Sequence, residues 1–371
     1  MMSTLQLSTE QVLAWRLRRQ WVAAPLVDGA ATPVSERLAG VQAQVASAAE
    51  TAVAVRTAPA VRDGVAAALA AGDVVKTWTM RGTLHAMVPA QAAAALALIG
   101  SARTWEKPVW QRNFGVNPEQ MRALAAAVTE LLADRALTRE ELVDALVAEP
   151  AFAGLADQLR SGWGTVLKPL AWQGALCHGP AQGAKITFTS PARLIPGWPG
   201  LPAPEDAARL LVPAYLGAYG PALPETFDAW LSRNSLRKTV VRGWFGDLGA
   251  RLTEVEVDGR ARWALTEHLD ELAAARPDDE VYLLGPFDQY VLGPGTGDTD
   301  LLPKEHRAKV SRTAGWISPL IVAGGHIVGT WTAAEDGVDT DLFEAGSIGA
   351  DALARAIERV RPVLAAGAVV R

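Results

Sequence analysis

Along the chain, apolar positions recur first at helical spacing and then in alternation, and this succession occurs three times. In the first round, Ser8-Thr9-Glu10-Gln11 has the capping-box pattern and predicts a helix to about Val22. Thr32-Pro33 supplies an N-cap with proline at the first helical position, and Ser47-Ala48-Ala49-Glu50 supplies a second capping box. A helix near Ala60 to Ala71 should stop at Gly72, and Asp73 to Val88 has strand composition with a turn at Arg81-Gly82. The second round opens at Asn117-Pro118-Glu119-Gln120 and continues with the capping box Thr138-Arg139-Glu140-Glu141 and a helix around Ser161 to Trp172. It closes on Leu176-Cys177-His178 and the alternating run Ala184 to Thr189. The third has helices near Pro204 to Leu216, Pro224 to Leu231 and Leu236 to Phe245. They precede the clearest hairpin of the chain, Thr253 to Trp263, whose two alternating strands flank Asp258-Gly259.

Helices followed by a β-ribbon are the grammar of a winged helix-turn-helix. The pattern therefore predicts a mainly α chain with β (α+β), built from three tandem winged units over residues 5–115, 116–200 and 204–275, with a Pro- and Gly-rich linker from Pro196 to Pro204. From residue 280 to 371 the pattern predicts a C-terminal β element and closing helix. Its strands are expected at Val281 to Leu284, Tyr290 to Leu292, Ile317 to Val322 and Ile327 to Trp331, and its helix at Ala350 to Ala365.

Composition narrows this picture only a little. At 371 residues, with 50% hydrophobic and 20% charged residues, the chain has the balance of a globular protein with a sizeable core. The single Cys177 excludes an internal disulfide and any multi-cysteine metal site, which suits a reducing cytoplasm. No secretory signal or membrane-length apolar run is visible, and the five histidines show no paired ligand spacing, so no metal and no cofactor are expected. A formal charge of −5 speaks mildly against nucleic acid, but a net charge is a sum, whereas DNA is bound by a local concave patch.

The chemistry concentrates at Val41-Gln42-Ala43-Gln44, just ahead of the expected helix at Ser47. In an extended segment, residues i and i+2 lie on one side, whereas on a helix they diverge by about 200°. Gln42 and Gln44 therefore aim at one point, where two neutral amides hold a water through a donor and an acceptor each but cannot deprotonate it. Such an arrangement suits a reaction whose leaving group needs no proton.

The segment Arg37-Leu38-Ala39-Gly40-Val41-Gln42-Ala43-Gln44, followed by Lys76-Thr77-Trp78-Thr79-Met80-Arg81-Gly82-Thr83-Leu84-His85, resembles the AlkZ-like and YcaQ-like DNA glycosylases. Pro286-Phe287-Asp288-Gln289-Tyr290 and Ala314-Gly315-Trp316 resemble the family's C-terminal motifs, so the resemblance spans most of the chain. The intact Gln-apolar-Gln signature resembles the AlkZ branch, since the YcaQ branch has Asp in place of the second Gln. The resemblance implies tandem winged helices on a C-shaped DNA-binding scaffold, and a monofunctional glycosylase that removes cationic N7-alkylpurines from double-stranded DNA, interstrand crosslinks included. It implies that Gln42 and Gln44 are catalytic, that the partner is alkylated DNA and not a membrane, that the enzyme acts as a monomer, and that it is nucleoid-associated when bound. An N7-alkylguanine already carries positive charge, so its glycosidic bond has a good leaving group and the protein need only position water and stabilise an oxocarbenium-like sugar. A crosslinked base is tethered to the other strand, which disfavours full flipping into a closed pocket and favours an open site.

Candidate DNA contacts form three groups beside Arg37. Lys76, Arg81, Thr83 and His85 alternate with Trp78, Met80 and Leu84, which fits a half-buried strand equally well. Arg233, Arg237, Lys238 and Arg242 fall at helical spacing, either a solvated face or a phosphate-contacting helix. Lys304, His306, Arg307, Lys309 and Arg312 form a third basic cluster. Gly293-Pro294-Gly295-Thr296-Gly297-Asp298 lacks the Gly-Lys-Ser/Thr ending of a nucleotide loop and reads as a hairpin tip. The thirteen tryptophans read mostly as core, with none assignable to base stacking. The absence of lysine in the glutamine motif argues against a Schiff-base lyase, with a lysine from elsewhere left open. The rival readings are a non-enzymatic winged-helix regulator and a protein that sequesters a DNA-damaging small molecule.

Overall fold

The helix-then-ribbon succession closes, in a computed structural model that describes residues 4–162, 164–334 and 337–365, into three small sheets each backed by helices. The first sheet runs Val41–Gln42, Leu84–Met87, Val75–Trp78, backed by helices Ala31–Arg37, Ala46–Ala54 and Gly64–Ala71. The second runs Leu137–Thr138, Lys185–Thr189, Cys177–Gln182, beside Pro118–Leu131, Arg139–Val147 and Leu167–Trp172. In the third, the hairpin Leu252–Val257/Arg260–Leu265 accompanies Pro204–Tyr219, Pro224–Ser232 and Lys238–Gly246. Its turn is closed by Asp258 at φ 45° and Gly259 at φ 75°, the two successive left-handed residues that a tight two-residue hairpin requires.

The third strand of that sheet comes from the other end of the chain: Gln6–Leu7 pairs in parallel with Leu252–Val257. Leu7, Val12, Ala14 and Trp15 consequently share a core with Val255, Val257 and Leu272, so the helix Thr9–Arg19 lies against the third unit. The tail is a four-stranded antiparallel sheet, Val281–Leu284, Leu320–Ala323, His326–Ala334 and Gly337–Leu342, covered by Ala350–Ala365 through Ala356, Val360 and Val363.

Capping boxes at Ser8, Asn117 and Thr138 form as their sequences predict. The one expected at Ser47 does not. Its helix begins at Ala46 with no side-chain cap, and Glu50 instead accepts from the backbone N–H groups of Val65 (3.0 Å) and Ala66 (2.8 Å), capping the neighbouring helix Gly64–Ala71. That helix accordingly starts later than Ala60. Ala31–Arg37 starts ahead of the expected Thr32 cap. Tyr290 to Leu292, expected as a strand, belongs to a helical turn Gln289–Leu292, because the Asp288 carboxylate accepts from the Tyr290 N–H at 2.8 Å and starts it. Residues 293–298 form the irregular loop after that turn, not a hairpin tip.

A helix absent from the sequence-based expectation is the hinge of the packing. Pro89–Ser101 is apolar on every side, and Ala92–Leu98 are no more than 8% exposed. A helix without a polar face is a buried helix, and this one packs its alanines against Pro204–Tyr219. The first unit is thereby joined to the third, and the Thr79–Thr83 turn comes to lie beside the helix Pro224–Ser232.

Candidate active site

Gln42 ends a strand paired with Leu84–Met87, opposite His85, and the Ala43 N–H donates to the Leu84 carbonyl at 2.7 Å. This keeps the motif extended up to Gln44, so the two amides fall on the same side and both line one cleft of about 1080 Å³. Gln44 is exposed and its Oε1 accepts from the Leu84 N–H at 3.4 Å. Gln42 is 7% exposed, and its Oε1 is buried with no protein partner.

Every unit contributes a wall. The first unit brings Lys76 from its strand and Arg81 and Thr83 from the turn; the second brings Arg139, Lys168 and His178; the third brings Trp230 and Arg233; the tail brings Phe287, Thr296, Arg307 and Trp316. Trp172 Nε1 donates to the Trp78 carbonyl at 3.1 Å and fixes the second unit against the first. Arg81 donates to the carbonyls of Trp230 (3.3 Å) and Leu292 (3.0 Å), tying the turn to the third unit and the tail. Arg81, Arg233, Phe287 and Ala314 all hold φ between 56° and 58°. Left-handed backbone is unfavourable for residues with a side chain, and these four hold it at the wall of one cleft.

The electrostatics are one-sided. No Asp or Glu lines the cleft among the described residues, and none of its six cations, Lys76, Arg81, Arg139, Lys168, Arg233 and Arg307, forms an ion pair there. Burial holds Lys76 and Lys168 below the usual lysine range, with Arg233 adding repulsion at Lys168. Burial, with a smaller contribution from Arg233, brings Arg81 down to about 10. His178 lies 5.1 Å from Trp78, and burial, reinforced by Lys76 and Arg139, lowers its pKa to about 3, so it is neutral. A carboxylate-free surface of unpaired cations fits a polyanion.

The other candidates lie elsewhere. His85 sits behind the cleft, fully buried, with Nδ1 3.2 Å from the Thr83 carbonyl and its pKa lowered to about 3 by burial and then by Arg81. Arg37 turns into a separate groove, where its guanidinium lies 4.2 Å from the Trp21 ring centroid and donates to the Arg19 carbonyl at 3.0 Å. Arg237 and Lys238 are exposed at the start of their helix, and Arg242 pairs with Glu225 at 2.5 Å. Lys309 pairs with Asp341 at 3.2 Å, and Arg312 is exposed. Arg139, Lys168 and His178 were not among the sequence candidates, since each sits singly within an ordinary amphipathic pattern. Two lysines from outside the glutamine motif thus do reach the cleft.

The chain matches the family model described as DNA glycosylase AlkZ-like over residues 35–365. It is 51% identical over 328 residues, 88% of each chain, to a protein of Streptomyces sahachiroi named interstrand DNA cross-link repair glycosylase. Its fold superposes on a solved structure, the S. sahachiroi DNA glycosylase AlkZ, with a TM-score of 0.94 at 47% identity, covering 99% of this chain and 98% of the other. The chain belongs to the AlkZ-like family of DNA glycosylases, enzymes of DNA repair that hydrolyse N-glycosyl bonds.

Proposed function

We propose that this enzyme is a monofunctional glycosylase that excises cationic N7-alkylpurines from double-stranded DNA, with Gln42 and Gln44 positioning the attacking water. The observation that carries this reading is what the cleft lacks: among the described residues it offers no carboxyl group, and its histidine is held neutral. Without a carboxylic acid to protonate the departing base or a carboxylate to activate water, the cleft suits a leaving group that departs unaided. In an N7-alkylpurine the C1′–N9 bond breaks, its electron pair neutralises the positive ring, water adds to C1′, and the surplus proton passes to solvent. The unpartnered Gln42 Oε1 is free to accept from that water, and the amide dipoles of both glutamines favour the positive charge developing on the sugar.

We take the helix-and-sheet units over residues 5–115, 116–200 and 204–275 as winged helices, the first lending its strand Gln6–Leu7 and helix Thr9–Arg19 to the third, with 280–371 as the β tail, holding the duplex against Lys76, Lys168, Arg139, Arg233 and Arg307 as phosphate contacts. Arg37, Arg237, Lys238, Arg242, Lys309 and Arg312 would touch only more distant phosphates. The likeness to a protein named for cross-link repair supports crosslinks as substrates.

The test is release of N7-methylguanine from alkylated duplex DNA. Wild type should release it; Gln42→Ala/Gln44→Ala should be slower by about 10²–10³, with DNA affinity within threefold. O6-methylguanine should stay in place, and borohydride should trap no covalent enzyme–DNA adduct. Unimpaired release by the double variant would remove the glutamines from the mechanism. Trapping would point instead to Lys76 or Lys168 as a nucleophile.

A further inference from the structure

Phosphate binding occupies the cationic wall of the cleft and leaves the wall built by the tail unexplained. There Phe287, Leu292, Trp316 and Ile317 present an apolar face to the same space as Gln42 and Gln44. Trp316 is half-buried, and the Phe287 ring meets it edge-on, with centroids 4.8 Å apart and planes at 75°. Both rings are held by backbone that resists relaxation: Phe287 at φ 56°, and Trp316 behind a turn with Ala314 at φ 57° and Gly315 at φ 76°. The Trp316 carbonyl accepts from the Arg312 N–H at 2.8 Å, which closes that turn. A tryptophan fixed in this way, half-open to a cleft that also carries six cations, is suited to a planar partner. At about 1080 Å³ the cleft also exceeds the roughly 300–1,000 Å³ usual for small-molecule sites, more room than a purine with a methyl substituent fills.

We propose that Trp316, braced by Phe287, is the platform against which a planar substituent on the purine N7 packs, so that this residue sets the enzyme's preference for adducts bearing an aromatic group. The proposal rests on the N7-alkylpurine reading and assigns the specificity within it. The rings of the adduct would lie on the indole face while the phosphates of the same strand meet the opposite wall, which places the C1′ of the lesion at the glutamines between them.

Duplexes carrying one N7-methylguanine or one N7-benzylguanine separate the possibilities in steady-state assays of wild type, Trp316→Leu and Trp316→Phe. The expected result is a fall of at least tenfold in the benzyl-to-methyl ratio of kcat/KM for Trp316→Leu, carried by KM, with Trp316→Phe recovering most of it. A ratio unchanged in Trp316→Leu would overturn the proposal, whether both rates fall together or neither falls. Binding of the same lesions on 2′-fluoro sugars, in the Gln42→Ala/Gln44→Ala background, gives a readout independent of excision. Preference for the benzyl duplex over undamaged DNA should vanish with Trp316→Leu. If wild type released neither base, the N7-alkylpurine reading would fail, and the binding comparison would still decide the platform.

Discussion

Arg56 and Asp288 are wholly buried and meet through two hydrogen bonds, of 2.8 and 2.6 Å. Asp288 also starts the helical turn that follows Phe287, so the pair anchors the segment that forms the apolar wall of the cleft. Removing one partner strands a buried charge: Asp288→Ala should cost about 3–5 kcal/mol in urea unfolding, and Arg56→Met/Asp288→Leu clearly less. A loss under about 1 kcal/mol for the single variant would contradict this. His85 and His178 make the second prediction at this scale. Both have pKa values lowered to about 3 from 6.5, chiefly by burial. The unfolded chain therefore binds more protons than the folded one between those values, and stability rises with pH. Their stabilising contribution is complete above pH 6.5 and is lost progressively as pH falls towards 3. Unfolding midpoints measured between pH 7 and 4 should decline less steeply in His178→Phe than in wild type.

Among the helices, the contrast between Ser47 and Glu50 shows how a local pattern misleads. The Ser-x-x-Glu spacing is correct for a capping box, but the Glu50 carboxylate finds the free N–H groups of a second helix whose own N-cap, Asp63, makes no side-chain bond. The expected outcome is that Glu50→Ala lowers stability by about 1 kcal/mol, while Ser47→Ala changes it by less than about 0.5 kcal/mol. Thermal melts of the two variants check it, and equal losses would restore the local cap. Pro89–Ser101 shows the opposite failure. It carries no polar face, so its periodicity is silent, and only its burial between two units makes it recognisable as a helix.

At the scale of the whole molecule, the formal charge of −5 hides a cleft lined by six unpaired cations and no carboxylate among the described residues. If these meet phosphates, each neutralised contact releases counterions, and affinity for undamaged duplex should fall with a log–log salt slope of up to about −5. Lys168→Glu should reduce that slope by about 1–2, whereas Arg37→Glu, in a separate groove, should leave it nearly unchanged. Fluorescence anisotropy across salt concentrations measures both, and a flat dependence in wild type would remove DNA phosphates from the cleft. Membership of a glycosylase family also disposes of the regulator and sequestration readings that the chain alone had left open.

What the chain determines by itself is local. The caps at Ser8, Asn117 and Thr138 and the Asp258-Gly259 turn depend on neighbours within a few residues, whose preferences act wherever the segment sits, whereas Gln42-Ala43-Gln44 is held extended by the strand that carries Leu84 and His85. Tertiary packing decides which distant groups share a space. It puts Arg139, Lys168 and His178 beside the glutamines across about a hundred residues of chain, because Trp172 docks on the Trp78 carbonyl. It turns Arg37 away from Gln42, only five positions on, because the Trp21 ring and the Arg19 carbonyl hold the guanidinium in another groove. It also brings Phe287 and Trp316 to the cleft as a pair, although they stand in two motifs well separated along the chain. Convergence is a property of how surfaces fit, and no periodicity along a single strand or helix encodes it.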